Sequence, residues 1–489
     1  MTSKKKESTT YKHIFKYTGL LGSVQMLSVL ISMVRNKCAA WLVGTIGFGL
    51  YDLYGRTLEL IGNATNFGIS LSAVRRLSKL YDRNDEAGMT HYVKIIRTWS
   101  LLTGLLGMLL CLVLAPWLSR LTMGNAEHTV AYSWLSISIL CSTVYGGELS
   151  ILKGTRHLSK IAGSSSLCAI ATLLITVPCY YFWRFDGVVP ALIATTATTL
   201  LIHLHRSTRL FPYRITLRLA SAWREGHHLL RLGTAYVAAG IVASGAEMLV
   251  RAFISNIECV ARVGLYAAGF TLTVSYARMI FVALDADYFP RLSAGVGNRE
   301  RANHLANKQI DVLVLLMAPF LICFALLLPV VVRVLYTEHF LCVIQMVLCS
   351  LFYMYFKAIY TPIAYFSLAK GDSVVYFVME TAYSLVFAAC VMVGYRYGNL
   401  IGAGFGVVAA NLFDLLALYA VYSRRYGCRF ESLTLRHCFL QGALLMAGLV
   451  AAWQPVRIVK FPIGLTLLAL SAFISWRLLT RKSSAQANQ

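Results

Sequence analysis

The amino-acid sequence predicts an all-α polytopic membrane protein with about fourteen transmembrane helices. Of its 489 residues, 58% are hydrophobic and only 13% are charged, whereas soluble domains are about 45–50% apolar and about 25% charged. Apolar stretches of about 20 residues, long enough to cross the hydrocarbon core, recur along the whole chain. In lipid each backbone amide needs a partner within its own segment, so we expect each stretch to be a helix.

The apolar stretches are separated by short polar loops. The predicted spans are residues 14–34, 48–73, 98–118, 130–151, 161–182, 188–205, 229–253, 263–284, 312–335, 341–368, 374–395, 401–422, 438–453 and 461–479. The first span contains Lys16 and lacks a small-residue cleavage site before Arg35, so it does not resemble a cleaved signal peptide.

The distribution of basic residues predicts the orientation. If the amino terminus is cytoplasmic, the cytoplasmic segments hold more than three times as many of the 45 Lys and Arg residues as the opposite side. Positive charge normally accumulates on the cytoplasmic side, so both termini are expected there. The net charge of +24 is then mainly a topology signal, and no soluble basic domain exists to bind nucleic acid.

The longest internal polar stretch divides the chain near its middle. In residues 209–228 arginines alternate with apolar residues, a pattern typical of an amphipathic helix at the membrane interface, aided by anionic lipid. An irregular basic linker is the alternative interpretation.

Two short segments of the first half recur in the second half. "GFGLY" (47–51) resembles "RVGLY" (262–266), and "RLSKL" (76–80) resembles "RLSAG" (291–295); both pairs are 215 residues apart. The offset covers six spans, so an internal duplication would give two halves that enter the membrane in the same sense. The predicted domains are an N-lobe (1–208), the basic linker (209–228), a C-lobe (229–425) and two further helices with a cytoplasmic tail (426–489).

Several spans contain charged residues, which are costly at mid-membrane depth and normally face a partner or a wet cavity. Asp52, Arg56 and Glu59 lie four and three residues apart, on one helical face, and Glu247 and Arg251 are also four apart. Such neighbours can pair along a helix. Two interpretations stay open: ion pairs that fix helix packing, or charges that line a cavity.

Arg278 and Lys357 have no acid three or four residues away in their own spans. Each therefore needs a partner elsewhere in the protein or an anion supplied by a substrate. For Arg278 the alternative to a substrate anion is a distant pair with Asp52, Glu59 or Asp414. A guanidinium matches a phosphate group bidentately, and an ammonium acts as a point charge. Snorkelling toward the interface is the alternative for Lys357.

The sequence lacks several motifs that are typical of enzymes and metalloproteins. It lacks both the G-x-x-x-x-G-K-[ST] phosphate loop and the H-E-x-x-H zinc motif, and its twelve cysteines are scattered without a C-x-x-C pair. Asp285-Ala-Asp287 is a lone D-x-D, and no large loop accompanies it. The sequence therefore predicts no cofactor, no resident metal and no enzymatic activity.

Four segments resemble bacterial Wzx-type oligosaccharide flippases of the multidrug/oligosaccharidyl-lipid/polysaccharide (MOP) exporter superfamily, to which MATE drug exporters also belong. They are "FKYTGLLGSVQMLSVLISMVRNKCAAWLVGTIGFGLYDL" (15–53), "DYFPRLS" (287–293), "NKQIDVLVLLMAPF" (307–320) and "VLYTEHF" (334–340). The resemblance covers roughly residues 11–425.

The resemblance implies two parallel six-helix lobes that form a V around a central cavity. It also implies that undecaprenyl-diphosphate-linked oligosaccharide, a repeat unit of O-antigen, capsule or exopolysaccharide, crosses the bacterial inner membrane by alternating access. The expected partners are this lipid-linked substrate, membrane lipids and polysaccharide polymerase or ligase machinery. The candidate substrate-binding cations are Arg35, Arg56, Arg251, Arg278 and Lys357. The candidate carboxylate partners, or sites for a coupling Na⁺ or H⁺, are Asp52, Glu59, Glu247, Glu380 and Asp414.

Three other classes of protein serve as alternatives. A MATE-like drug or cation antiporter would have an acidic or aromatic cavity. A membrane glycosyltransferase or polymerase would use Asp285 and Asp287. A major-facilitator transporter would also have parallel six-helix halves, but the loop after the second span lacks that family's G-x-x-x-D-R-x-G-R-R pattern.

Overall fold

The structure is a computed structural model that describes residues 26–215, 234–275 and 278–487. At a few helix positions within these ranges, among them Arg278, Asp285 and Asp287, the side chains lie outside the described part. The regular elements of the described residues are helices, without strands.

The helices follow one another with short connections. They are α1 (26–42), α2 (Gly44–Asn66), α3 (Ile69–Asp82), α4 (Glu86–Met123), α5 (Thr129–Gly154), α6 (Leu158–Trp183), α7 (Val188–Thr208), α8 (Thr234–Ile257), α9 (Val260–Phe270), α10 (Arg278–Gly295), α11 (Arg299–Leu335), α12 (Val343–Ser350), α13 (Phe352–Lys370), α14 (Ser373–Tyr426), α15 (Ser432–Trp453) and α16 (Arg457–Ala487). A π-helical turn (Thr271–Ser275) follows α9, and a 3-10 turn (Glu338–Phe340) precedes α12.

The predicted spans fall largely on these helices in the described residues, with the breaks given below. Residues 14–25 of the first span, 229–233 of the seventh, and 216–228 of the linker lie outside the described residues. Within the described ranges, ten helices are long and apolar enough to cross a membrane. The number of fourteen stays a prediction.

The longest helix of the sequence contains two predicted spans. α14 is interrupted at Gly398 and Asn399, where the backbone leaves the helical region and Asn399 has a φ of 49°. A Cβ atom at Gly394 would overlap the carbonyl oxygen of Gly402. The two segments therefore pack closely beside this tight connection, because neither glycine has a side chain to separate them.

Three other spans are divided where the sequence predicted one helix. The tenth (341–368) is divided into α12 and α13 only at Leu351, whose backbone keeps helical dihedral angles. The second span was expected over 48–73, but Phe67 and Gly68 adopt left-handed conformations and separate α2 from α3. The eighth was expected over 263–284, but its α-helix ends at Phe270 and continues as the π-helical turn. Hydrophobicity alone does not reveal such breaks. π-helical turns are frequent at functional sites.

Local signals explain several helix ends. The Asp85 side chain accepts a hydrogen bond from the amide of Gly88 at the start of α4, and Asn298 does the same for Glu300 and Arg301 at the start of α11. These side chains satisfy amides that have no partner within the helix.

The chain forms two compact units, one up to Gly264 and one from Leu265 onward. In unit 1, α5 packs against α4, α7 and α3, and α2 packs against α8. In unit 2, α14 packs against α13 and α12, and α11 against α15, α16 and α13. The predicted lobe boundaries stay a prediction; α8 packs within unit 1.

In unit 2 an asparagine ladder holds the segment between α14 and α15. Asn303 Nδ2 donates to the carbonyl of Gly427 (2.9 Å), and Asn307 Nδ2 donates to that of Arg429 (2.8 Å). Side chains four residues apart on a helix are about 6 Å apart, close to the spacing of alternate residues in an extended segment. The match fixes the start of α15 on α11.

Candidate functional site

Five charged side chains of unit 1 meet where α2 and α8 pack together. α2 contributes Asp52, Arg56 and Glu59, and α8 contributes Glu247 and Arg251. The spacing along each helix predicted the pairs within each helix; the structure adds the pairs between the two helices. We refer to these five residues as the ionic cluster.

Arg251 is the enclosed cation of the ionic cluster, with a side chain that is 1% exposed. Its Nε donates a hydrogen bond to Asp52 Oδ2, and its Nη1 donates to the backbone carbonyl of Glu247 (2.9 Å). The Glu247 carboxylate lies 3.6 Å from the same Nη1. Arg251 therefore ties α8 to α2.

Arg56 is the accessible cation of the ionic cluster, with a side chain that is 29% exposed. Its Nη1 lies 3.0 Å from Glu59 Oε2 and 2.9 Å from Glu247 Oε2, and its Nε lies 3.7 Å from Asp52 Oδ1. One guanidinium thus serves three carboxylates. The contact with Glu247 is an ion pair without hydrogen-bond alignment, because this buried oxygen has no hydrogen-bond partner.

The ionic cluster contains more acid than base. Three carboxylates face two guanidinium groups, which gives a formal charge of −1. Two of the acids are partly accessible: Glu59 is 49% exposed and Glu247 is 30% exposed. An anion that takes over the contacts of Arg56 Nη1 displaces a carboxylate, and Glu59 is the most exposed of the three acids around Arg56.

Arg35 lies apart from the ionic cluster, on α1. Its guanidinium carbon is 5.6 Å from the centre of the Tyr51 ring, a cation–π contact. Arg35 also lines a small pocket with Asn36, Thr176 and Tyr180. Tyr51 precedes Asp52 in sequence, but consecutive helical residues point about 100° apart, so the structure does not bring Arg35 into the ionic cluster.

A second charged group lies in unit 2 and is formed by α13 and α14. Lys357 Nζ donates to the hydroxyl of Tyr353 (3.2 Å) and lies 5.8 Å from the centre of the Phe281 ring. Glu380 and Asp414, both on α14, are close enough to Lys357 to interact with it electrostatically. The acids that an isolated lysine requires therefore come from the neighbouring helix.

Arg278 begins α10, immediately after the π-helical turn and two undescribed residues. Its side chain lies outside the described part of the chain, as do those of Asp285 and Asp287. Its predicted role stays a prediction.

Sequence reasoning missed one buried ion pair. Glu148, in the apolar span 130–151, pairs with Arg97 just before the third span; both side chains are 1% exposed. Glu148 is as isolated among apolar residues as Arg278, so the sequence contained the signal. Within the described residues, no group of three or more His, Cys, Asp or Glu side chains could hold a metal ion.

The fold resembles solved structures of MOP-superfamily transporters. The lipid II flippase MurJ in an inward closed conformation has a TM-score of 0.70 at 13% identity, covering 94% of this chain and 99% of MurJ. A MATE transporter from Vibrio cholerae has a TM-score of 0.58 at 16% identity (88% and 99% covered). A MOP-superfamily transporter from Pyrococcus furiosus has a TM-score of 0.60 at 16% identity (84% and 96% covered). The predicted fold class, an all-α polytopic membrane protein with the MOP fold, is confirmed.

The family is defined by the sequence itself. Residues 48–345 match the family described as polysaccharide biosynthesis protein, and the chain belongs to that family. No curated protein matches the sequence significantly. The predicted kinship with Wzx-type flippases is confirmed. The solved structures that the fold resembles are those of a lipid II flippase and of MATE transporters.

Proposed function

We propose that the protein flips undecaprenyl-diphosphate-linked oligosaccharide across the bacterial inner membrane by alternating access. The observation that carries this proposal is Arg56, a partly exposed guanidinium on α2, within the second predicted span, in a chain of the polysaccharide biosynthesis family. Both termini are cytoplasmic in this proposal. The end of unit 1 near Thr45 and Ile257 is then the outer end.

The diphosphate binds Arg56 by exchange. A diphosphate offers several oxygens in the plane of a guanidinium and can bind it bidentately. Its arrival displaces Glu59, which is the more exposed of the two carboxylates that share Arg56 Nη1. When the substrate leaves, Glu59 and Glu247 bind Arg56 again. The same carboxylates therefore prevent the diphosphate from remaining trapped.

In this proposal the charged group of unit 2 also takes part in transport. Lys357 attracts the anionic head group, and Glu380 and Asp414 are candidates for the coupling Na⁺ or H⁺. Arg278 is a further candidate cation and Arg35 contributes at the outer end, whereas the enclosed Arg251 holds α8 against α2. The glycan crosses in a hydrated cavity while the prenyl chain stays in lipid, and polysaccharide polymerase or ligase machinery receives the product.

The acid excess of the ionic cluster favours a second candidate, a MATE-like exporter of cations or cationic drugs. A site with formal charge −1 attracts a cation when no anion competes. In that case Glu59 and Glu247 hold the cargo, and Arg56 serves only to organise them. Structural neighbours named as MATE transporters are compatible with this candidate.

The test uses purified protein in proteoliposomes with a labelled undecaprenyl-diphosphate oligosaccharide. We expect Arg56→Ala to reduce flipping at least about tenfold, since a charge-assisted hydrogen bond contributes about 1.5–3 kcal/mol. Arg156→Ala is the matched control, because Arg156 forms a surface ion pair with Asp82 (2.7 Å) far from the ionic cluster.

Each outcome separates the candidates. Flipping that is lost in Arg56→Ala and retained in Arg156→Ala supports the proposal. A wild-type protein that flips no lipid but exports a cationic dye, with loss in Glu247→Gln, supports the MATE-like exporter instead. Undiminished flipping by Arg56→Ala removes Arg56 from the site.

A further inference from the structure

α2 and α9 cross at two glycines with almost no space between their backbones. A Cβ atom at Gly49 would overlap the carbonyl oxygen of Val260 and lie 2.9 Å from the amide nitrogen of Gly264. A Cβ atom at Gly264 would overlap the carbonyl oxygen of Thr45 and lie 2.9 Å from the amide nitrogen of Gly49. We refer to these four residues as the glycine crossing.

The glycine crossing is symmetric with respect to the internal repeat. Gly264 lies 215 residues after Gly49, and Val260 lies 215 residues after Thr45. This is the offset that relates "GFGLY" to "RVGLY" in the sequence. Gly49 contacts the carbonyl of Val260, and Gly264 contacts the carbonyl of Thr45, the residue equivalent to Val260 in the repeat. The two contacts are therefore related as contacts across a two-fold axis are.

Other contacts hold α8, the helix before α9, against α2 and α4 at this end of unit 1. Asp52, three residues after Gly49 on α2, pairs with Arg251 of α8. Asn256 Nδ2, at the end of α8, donates to the carbonyl of Leu121 on α4 (2.7 Å). α8 is therefore held against α2 by Arg251 and against α4 by Asn256, while the start of α9 contacts α2 at the glycine crossing.

We propose that the glycine crossing is the outer gate of the transport pathway: it holds α9 against α2 and separates when the substrate leaves. This inference rests on the proposed function, which sets the orientation of the protein in the membrane and so identifies this end as the outer one. Close contacts between small residues suit a gate, since they form and part without rearranging side chains. In this proposal the neighbouring ionic cluster lies on the cytoplasmic side of the gate.

The closed gate depends on both glycines. A methyl group at either position must separate the helices, and overpacking of this kind typically costs 1–3 kcal/mol. Alanine should therefore open the crossing and raise amide exchange in residues 44–50 and 260–270. Alanine at Gly62 of α2 or Gly240 of α8 is the matched control, since neither position has an atom within 4 Å of the added Cβ.

The experiment is hydrogen–deuterium exchange of the full-length protein in detergent without substrate, followed by flipping in proteoliposomes. We expect Gly49→Ala and Gly264→Ala to raise exchange at the crossing about tenfold to a hundredfold above Gly62→Ala and Gly240→Ala, and to slow flipping. The double variant should exchange little faster than either single variant, because both changes break one contact.

The outcomes separate the gate from the proposed function. Exchange in Gly49→Ala and Gly264→Ala that equals the controls overturns the gate, even if flipping is lost. Additive effects in the double variant also overturn it, because the two glycines would then act at separate contacts. Exchange that rises in the glycine variants, together with a wild-type protein that flips no lipid-linked oligosaccharide, supports the gate and rejects the proposed function.

Discussion

Arg97 and Arg56 are both guanidinium groups on helices of unit 1, and both contact a glutamate of another helix. Arg97 makes five hydrogen bonds: to the two carboxylate oxygens of Glu148 (2.8 and 3.2 Å), to Ser207 Oγ (3.2 Å) and to the carbonyls of Phe211 (3.2 Å) and Pro212 (2.8 Å). A guanidinium has five N–H donors, so the donors of Arg97 are fully used.

Arg56 is bound in a different way. Its Nη1 is shared by Glu59 and Glu247, one of these contacts is not aligned as a hydrogen bond, and the side chain remains 29% exposed. Arg97 has one acid matched to it in fixed geometry, whereas Arg56 has a surplus of acids. The difference indicates that Arg97 holds the fold together, while Arg56 can exchange one anion for another.

The largest effect is expected for Arg97→Ala. Removal of one partner leaves Glu148 buried and unpaired, which costs about 3–5 kcal/mol. Arg56→Ala should cost about 1 kcal/mol or less, since the pair is partly exposed. Thermal unfolding in detergent, followed by intrinsic fluorescence, measures both variants.

The control is the double variant Arg97→Met with Glu148→Leu. Replacing both charges by apolar groups removes the unpaired acid, so more than half of the lost stability should return. Equal destabilisation by Arg97→Ala and Arg56→Ala would show that the two groups do not differ in the way the contacts indicate.

A smaller effect is expected at Asp372, a half-buried counterpart of the two groups outside the membrane spans. Asp372 caps α14 and accepts hydrogen bonds from Tyr426 (2.9 Å) and Arg425 (2.9 Å). Burial opposes ionisation, but the hydrogen bonds from Tyr426, the Val375 amide and Arg425 outweigh it and lower the pKa of Asp372 below its usual value.

The lowered pKa sets the pH dependence. A carboxyl with a lowered pKa in the folded state stabilises the protein above its unfolded pKa of about 3.9, and this stability is lost as the pH falls through the folded value. Asp372→Asn should therefore lower the unfolding temperature slightly at pH 6, and the difference from wild type should shrink below about pH 4. A difference that is constant from pH 6 to pH 3 would contradict this assignment.

Much of the fold follows from hydrophobicity. The predicted spans coincide with described helices because lipid requires apolar helices of a set length. The breaks at Phe67, at Asn399 and at the π-helical turn depend on local backbone geometry. The sequence indicated only the break at Asn399, through the short polar spacer between the eleventh and twelfth predicted spans.

The candidate site could be predicted only within single helices. The spacing of Asp52, Arg56 and Glu59 predicted their pairing, because residues three and four apart share a helical face. The contact between Arg251 and Asp52 depends on how α2 packs on α8. The spacing of residues within one helix gives no information about that packing. The repeat likewise pointed to Gly49 and Gly264 without indicating that they touch.

The most direct test of the exchange at Arg56 is the affinity of purified protein for undecaprenyl-diphosphate oligosaccharide in wild type, Glu59→Gln and Arg56→Ala. In the proposed exchange Glu59 competes with the diphosphate, so its neutralisation should tighten binding severalfold, as loss of about 1 kcal/mol of competing ion pair implies. Arg56→Ala should weaken binding at least about tenfold. Glu258→Gln is the control, because Glu258 pairs with Arg262 (2.7 Å) outside the ionic cluster. An affinity that falls in Glu59→Gln, or stays unchanged in Arg56→Ala, would contradict the account.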